Sequence, residues 1–215
     1  MEVLHQDAHM IVCVKPAGLL SQADSNGGES AISRLEAEFG SIFPVHRLDK
    51  ETGGVMVFAR TKEAAAALSR AVQEDLLRKE YLALLPDMPE EETGELEDIL
   101  FHDRNRNRTY VVDRVRKGAK PAKLAYRVLE RNDRGVMVQV RLFTGRTHQI
   151  RVQFASRKLP LLGDRKYGNK EKVPMALWAW RLTMPHPKTG AQMTFSALPV
   201  VAESPWNGFA AWPTP

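Results

Sequence analysis

Residues 44–59 read Pro44-Val45-His46-Arg47-Leu48-Asp49-Lys50-Glu51-Thr52-Gly53-Gly54-Val55-Met56-Val57-Phe58-Ala59. The first part is a loop crowded with charge. The GGVMVFA run that follows is short and apolar, as a buried strand should be. A carboxylate, Asp49, therefore stands two residues from a guanidinium, Arg47, where a loop hands over to a strand. Before this stretch, Met10–Val14 (MIVCV) predicts another short strand, ended by the turn residues Lys15-Pro16-Ala17-Gly18. Between the two, Ile32, Leu35 and Phe39 recur at helical spacing within 29–39, and Gly40 stops the run. After it, Thr61 caps an alanine-rich helix through about Gln73, and 80–85 (EYLALL) predicts a strand. In the second half Val136, Val138, Val140 and Leu142 alternate with Met137, Gln139 and Arg141, a half-buried strand ended by Gly145. A short helix is expected from Thr147, with Ile150 and Phe154 facing inward, and two strands at 177–184 and 192–197 close the pattern. Strands outnumber helices and come in sequential runs, which predicts an α+β fold with a largely antiparallel or mixed sheet.

The chain has 215 residues, enough for one domain or for two halves sharing a core. With 43% hydrophobic and 27% charged residues it has the balance of an ordinary globular protein rather than a disordered one. No basic leader and no uncharged apolar run of about 18 residues is present, so a cytoplasmic protein without a membrane partner is expected. The lone cysteine, Cys13, sits in MIVCV and reads as a small hydrophobe. Net charge is only +5, but its distribution is uneven. Residues 87–98 carry seven acids and no base, and read as a solvated loop. Residues 104–123 carry eight bases against Asp113, and 141–172 carry nine against Asp164 and Glu171. Two such stretches favour a polyanion partner, since each phosphate neutralised by Lys or Arg releases counterions.

Several chemistries are excluded. The six histidines are scattered, with no HExxH and no cysteine pair, so no zinc ligand set exists. Phosphate-cradling glycine patterns and a serine elbow are also missing. Three polar constellations remain: 44–54; Gly145-Arg146-Thr147-His148-Gln149-Ile150-Arg151; and Leu162-Gly163-Asp164-Arg165-Lys166-Tyr167-Gly168. Each alone also reads as a salt-bridged surface turn. Tyr81 alone reads as a core residue, and Tyr167, Trp178 and Trp180 fit either core packing or base stacking.

Taken together, HRLDxxTGG, GRTHQIR and GDxxYG in this order, with KPAG near the N-terminus, resemble the RluA-like family of pseudouridine synthases. The likeness runs from about Val3 to Pro199. It implies the pseudouridine synthase fold: a mixed, largely antiparallel bent sheet flanked by helices, with a central RNA-binding cleft. Residues 1–215 are expected to form a single catalytic domain without an S4-type domain ahead of it, acting as a monomer. The likeness also implies an isomerase acting on structured RNA, ribosomal or transfer, with neither metal nor other cofactor. On these residues, Asp49 matches the catalytic aspartate, Arg146 the arginine that pairs with it, and Tyr81 the tyrosine that lies against the target base. Arg47 matches the arginine that displaces the target nucleotide, and His46, Thr52, Ile150 and Arg151 fall on the substrate side. One departure is visible: Leu177-Trp178-Ala179 stands where many members read Leu-His-Ala.

The chemistry suits these residue types. A carboxylate can attack or stabilise an electron-poor sugar carbon, or take a proton from C2′, and a nearby arginine keeps it ionised. A non-catalytic RNA-binding or RNA-chaperone module of the same fold would need the basic residues but not an arginine-paired carboxylate. A glycoside hydrolase would need a second carboxylate, and none stands out beside Asp49.

Overall fold

The computed structural model describes residues 1–24 and 27–214. They divide into two compact units, one of residues 1–79 and 178–199, the other of residues 80–177 and 200–214.

The first unit holds β1 (Glu2–Gln6), β2 (Met10–Lys15), α1 (Ala31–Phe39), β3 (Phe43–Pro44), β4 (Gly53–Ala59) and α2 (Lys62–Gln73). Most of β10 (Leu177–Pro185) and all of β11 (Gln192–Ser196) complete it. The strands lie in the order β1-β2-β4-β10, with β11 on β10 and β3 on β4. All these pairs are antiparallel except β4 with β10, where Gly53 faces Trp178 and Gly54 faces Ala179 in parallel register. Every residue of β4 is buried, as its unbroken apolar run predicts. One face of it packs Val55 and Val57 with Met10, Val12, Leu182 and Met184 against Ala64, Leu68 and Ala71 of α2. Both helices start at side-chain caps. Ser30 and Ser33 form a reciprocal capping box on α1, and Thr61 accepts from Ala64 N on α2 at 3.1 Å.

The second unit holds β5 (Arg78–Leu85, from Glu80 on), β6 (Thr93–Asp103), β7 (Arg108–Val112), β8 (Ala119–Asn132), β9 (Gly135–Leu142) and α3 (Gln149–Ser156). A short 3-10 turn, η1 (Arg165–Tyr167), follows α3. Strand order is β5-β9-β8-β6-β7, and the β9-β8, β8-β6 and β6-β7 pairs are antiparallel. The fold is α+β with mixed sheet pairing, as the pattern predicts. Strands β6 and β7 of this unit carry no clean alternation and escape the sequence; β8 is also not among the expected strands, although its buried Ala122, Leu124 and Tyr126 alternate with the more exposed Lys123, Ala125 and Arg127.

The acidic stretch 87–98 is therefore not simply a loop. Its second half belongs to β6, where Glu95 and Glu97 both meet Lys123 of β8, at 2.8 and 2.7 Å. Cross-strand pairing supplies the counter-charge that local sequence lacks. Helix α3 is also more enclosed than expected, with Gln149 through Phe154 all buried. Among the described residues no helix is long and apolar enough to cross a membrane.

Candidate active site

The 44–54 loop of the first unit is fixed by groups from the N-terminal strand and turn. Ser21 reaches the loop at Leu48, the residue beside Asp49. Its hydroxyl accepts from Leu48 N at 3.0 Å and donates to Leu48 O at 2.8 Å. Two residues further, the Lys50 carbonyl accepts from Gly18 N at 2.9 Å and from the Lys15 ammonium at 3.2 Å. The loop closes on itself where Thr52 N donates to Asp49 O at 3.1 Å. Asp49 is thus flanked by two anchored backbone positions. Its side chain is half-buried, while Arg47, just before the Ser21 clasp, is exposed.

Lys15 was not singled out by sequence. It is completely buried at the end of β2, and its three N–H groups go to the carbonyls of Pro16, Leu19 and Lys50, at 2.9, 2.7 and 3.2 Å. Burial pulls its pKa down to about 8, while Glu51 and Asp49 favour the cation. The available signal was a lysine closing an apolar strand immediately before Pro-Ala-Gly, where a solvated cation is out of place.

Three other features set the loop's geometry. His46 Nε2 accepts from Val57 N of β4 at 3.2 Å. Burial, and secondarily the Lys79 charge, push its pKa down to about 3, so the ring is a neutral strut between loop and strand. Thr52 is buried, and its hydroxyl finds no partner among the described residues. At the far end Gly53 must be glycine: a Cβ there would lie 2.9 Å from the Trp178 ring and 3.0 Å from Ala17 N. The Trp178 indole is held in that place by donating to Ala197 O at 2.7 Å. The tryptophan that departs from the family's histidine therefore packs beneath the glycine pair that ends the Asp49 loop.

The second unit carries the other expected residues. Tyr81 is buried in β5. Arg146 lies between β9 and α3, with its backbone N donating to Gln149 Oε1 at 3.0 Å and its Nε donating to Pro121 O at 2.9 Å. Gln149 itself is held by Thr144 and by Lys123 O, so the turn carrying Arg146 is tied to β8. His148 enters α3 in the left-handed region, φ 55°, and its Nδ1 meets Tyr167 Oη at 2.9 Å. Ile150 is buried in α3.

Arg151 is expected on the substrate side, but its guanidinium forms a two-point pair with Asp164, Nε to Oδ2 at 2.6 Å and Nη2 to Oδ1 at 2.8 Å. Both side chains are buried, 7% and 1% exposed. GRTHQIR and GDxxYG are thus clipped together twice, by Arg151 with Asp164 and by His148 with Tyr167. Periodicity holds no trace of that pairing. A groove of about 580 Å³ in the same unit is lined by Glu97, Asp98, Asp113, Pro121, Lys123 and Thr144 among others. None of the expected site residues lines it, and its three carboxylates suit an anionic substrate poorly.

His46, Arg47, Asp49 and Thr52 therefore share one braced loop of the first unit, and Tyr81, Arg146, Ile150 and Arg151 belong to the second. Compared with known proteins, residues 9–156 match the family model described as RNA pseudouridylate synthase. The chain belongs to the RNA pseudouridylate synthase family. Within that family it is 36% identical over 208 residues to ribosomal large subunit pseudouridine synthase D of Nitrosomonas europaea, covering 88% of this chain and 59% of that protein. It is 34% identical over 204 residues to the dual-specificity RNA pseudouridine synthase RluA of Haemophilus influenzae, covering 92% of each chain. Solved pseudouridylate synthase structures share the fold. The human RNA pseudouridylate synthase domain containing 4 superposes with a TM-score of 0.75 at 24% identity, over 93% of this chain and 89% of that one. Domain containing 1 superposes with 0.78 at 22% identity, over 96% and 86%.

Proposed function

We propose that this chain isomerises selected uridines of structured RNA, ribosomal or transfer, to pseudouridine, with Asp49 as the reacting carboxylate and no cofactor. It does so as a cytoplasmic monomer. Family membership supports the reaction. The observation that carries the assignment of Asp49 is the bracing of its loop, where Ser21 fixes Leu48 on one side and Lys15 with Gly18 fixes Lys50 on the other. A carboxylate whose backbone is held at both neighbours is preorganised, which matters because small misplacements of reacting groups cost large factors in rate.

The reaction breaks the N1–C1′ bond of uridine and joins C5 to C1′, so product and substrate contain the same atoms. Asp49, as the anion, either attacks C1′ or takes the C2′ proton while the base departs. The released uracil turns and C5 bonds to C1′, as the Asp49–C1′ bond breaks in the first case or Asp49 returns the proton to C2′ in the second; the C5 proton is then lost as N1 gains one. Tyr81 lies against the base and assists that last proton removal. Arg146 is the guanidinium that pairs with that carboxylate. The target nucleotide must leave its stack at a cost of about a few kcal/mol, and Arg47, exposed on the same loop, fills the space it leaves. Ile150 walls the uracil. His46 and Thr52 act on the substrate side through the loop they support. Arg151 contributes through Asp164, by holding the 163–168 turn.

The test is release of tritium from C5-labelled uridine. Purified protein acting on ribosomal or transfer RNA, with no nucleotide or metal added, should release it in step with pseudouridine formation. Binding of those RNAs without release from either would leave an RNA-binding module and overturn the assignment.

A further inference from the structure

The turn between β6 and β7 reads Asp103-Arg104-Asn105-Arg106-Asn107-Arg108. It is built to stay in shape. One oxygen of Asp103 accepts from Asn105 N at 3.0 Å and from Arg106 N at 3.1 Å, and Asn107 takes a positive φ of 44° to turn the chain back. Nearly sixty residues later, η1 supplies Arg165 and Lys166 to the same place. Lys166 Nζ donates to Asn107 O at 2.9 Å, and the Tyr167 hydroxyl accepts from Thr109 N at 2.8 Å. The Arg108 guanidinium lies 5.1 Å from the centre of the Tyr167 ring, closing the same junction.

Two segments far apart in sequence thus converge on one surface of the second unit. It carries five cations, Arg104, Arg106, Arg108, Arg165 and Lys166. The nearby acids are largely committed. Asp164 is consumed by the buried Arg151, and Asp103 spends one oxygen on the turn's own backbone. What Asp103 offers Arg106 is a long 3.8 Å contact to a side chain that is 76% exposed. Arg104 and Arg165 are exposed as well. A fold that needed this turn only as a connection would not concentrate like charges on it, because mutual repulsion costs stability. Four of the five are arginines, whose planar forks match phosphate oxygens two at a time.

We propose that this composite surface, the β6–β7 turn joined to η1, grips the phosphodiester backbone of the RNA substrate away from the reacting uridine. It sets affinity and orientation rather than the chemical step. The proposal rests on the reading that the chain acts on RNA, but not on the role given to Asp49. Clipping by Lys166 and Tyr167 holds the two segments in register before RNA arrives, so little backbone ordering remains to be done on binding.

The experiment compares R104Q/R106Q, R165Q, the charge-keeping R104K/R106K and a control, R131Q, at an exposed arginine near the end of β8. Equilibrium binding to the RNA substrate is measured from low to moderate salt, together with kcat and KM. Removing two phosphate contacts should flatten the plot of log affinity against log salt by about 1.4–1.8. R104Q/R106Q should weaken binding at low salt about tenfold or more and raise KM alike, with kcat unchanged. R165Q should act in the same direction with about half the change in slope, and R104K/R106K should keep most of the slope. An unchanged slope in both glutamine variants overturns the proposal. So does an equal loss in R131Q, which would show diffuse electrostatics, or a fall in kcat at constant KM. Failure of Asp49 to behave as a catalytic group would leave these slopes as they are, so the two outcomes are separable.

Discussion

The hydroxyl of Ser21 makes both a donor and an acceptor bond to the backbone of Leu48, 27 positions along the chain and next to Asp49. A single small side chain thereby replaces, for one residue, the pairing a sheet would have supplied. Leu48 is buried, so neither of its polar groups has water to fall back on.

Ser21→Ala should therefore cost about 1–3 kcal/mol of stability, because two buried backbone groups lose their partner. It should also lower kcat on the order of 10–100-fold through misplacement of Asp49, with KM for RNA little changed. Denaturant unfolding and steady-state kinetics check the two halves. A stable variant with wild-type kcat would show that the clasp does not position the carboxylate.

Lys15 adds a pH dependence whose sign can be worked out. Its pKa is depressed to about 8 from the ordinary 10.5, so the unfolded chain binds more of this proton between those values. This group's contribution to stability therefore rises with pH across that window. Activity should do the opposite. Above about pH 8 the ammonium becomes an amine with two N–H donors for three carbonyls, and the cation facing Asp49 and Glu51 is gone. A falling limb in kcat with a midpoint near 8 is expected, and Lys15→Met should have low activity without that limb. A limb that persists in Lys15→Met would assign it to another group.

Arg151 and Asp164 form a buried pair, and removing one partner leaves an uncompensated charge. Arg151→Ala should cost about 3–5 kcal/mol, and Arg151→Lys should fail to restore it because an ammonium cannot reproduce the two-point contact. Thermal unfolding of both variants tests this. Full rescue by lysine would mean that charge alone matters there.

At Gly54 the backbone has φ +120°, and a Cβ would collide with the Ala179 carbonyl across the parallel β4-β10 pairing. Gly54→Ala should destabilise the first unit strongly. By contrast Gly190→Ala, at φ +73° in an open turn with nothing within 4 Å, should cost far less. Equal melting temperatures for the two variants would contradict the close approach.

Much of the first unit was legible because its strands and helices are locally self-consistent: the unbroken apolar run of β4, the Thr61 cap and the Gly40 stop all act within a few residues. In the second unit, β6 and β8 pair over nine positions; β6 mixes charge and apolar groups on both faces, so no period shows in it, whereas in β8 Ala122, Leu124 and Tyr126 do alternate with Lys123, Ala125 and Arg127 within a stretch read only for its charge. Glu95 and Glu97 of β6 are answered by Lys123 from another strand and Asp98 by Arg157 just after α3, pairings that a one-dimensional scan cannot see. The site divides in the same way. Motif residues could be named from sequence, whereas their supports could not. Ser21 on Leu48, Lys15 on three carbonyls, Arg151 on Asp164 and Trp178 under Gly53 are all contacts between distant positions, created only by folding.

The most direct measurement is tritium release from C5-labelled RNA by Asp49→Asn, taken together with its RNA affinity. The substitution keeps shape and removes the anion, so release should fall below detection while the dissociation constant stays within about threefold of the native protein. Release at the native rate would show that the carboxylate of Asp49 is not the reacting group.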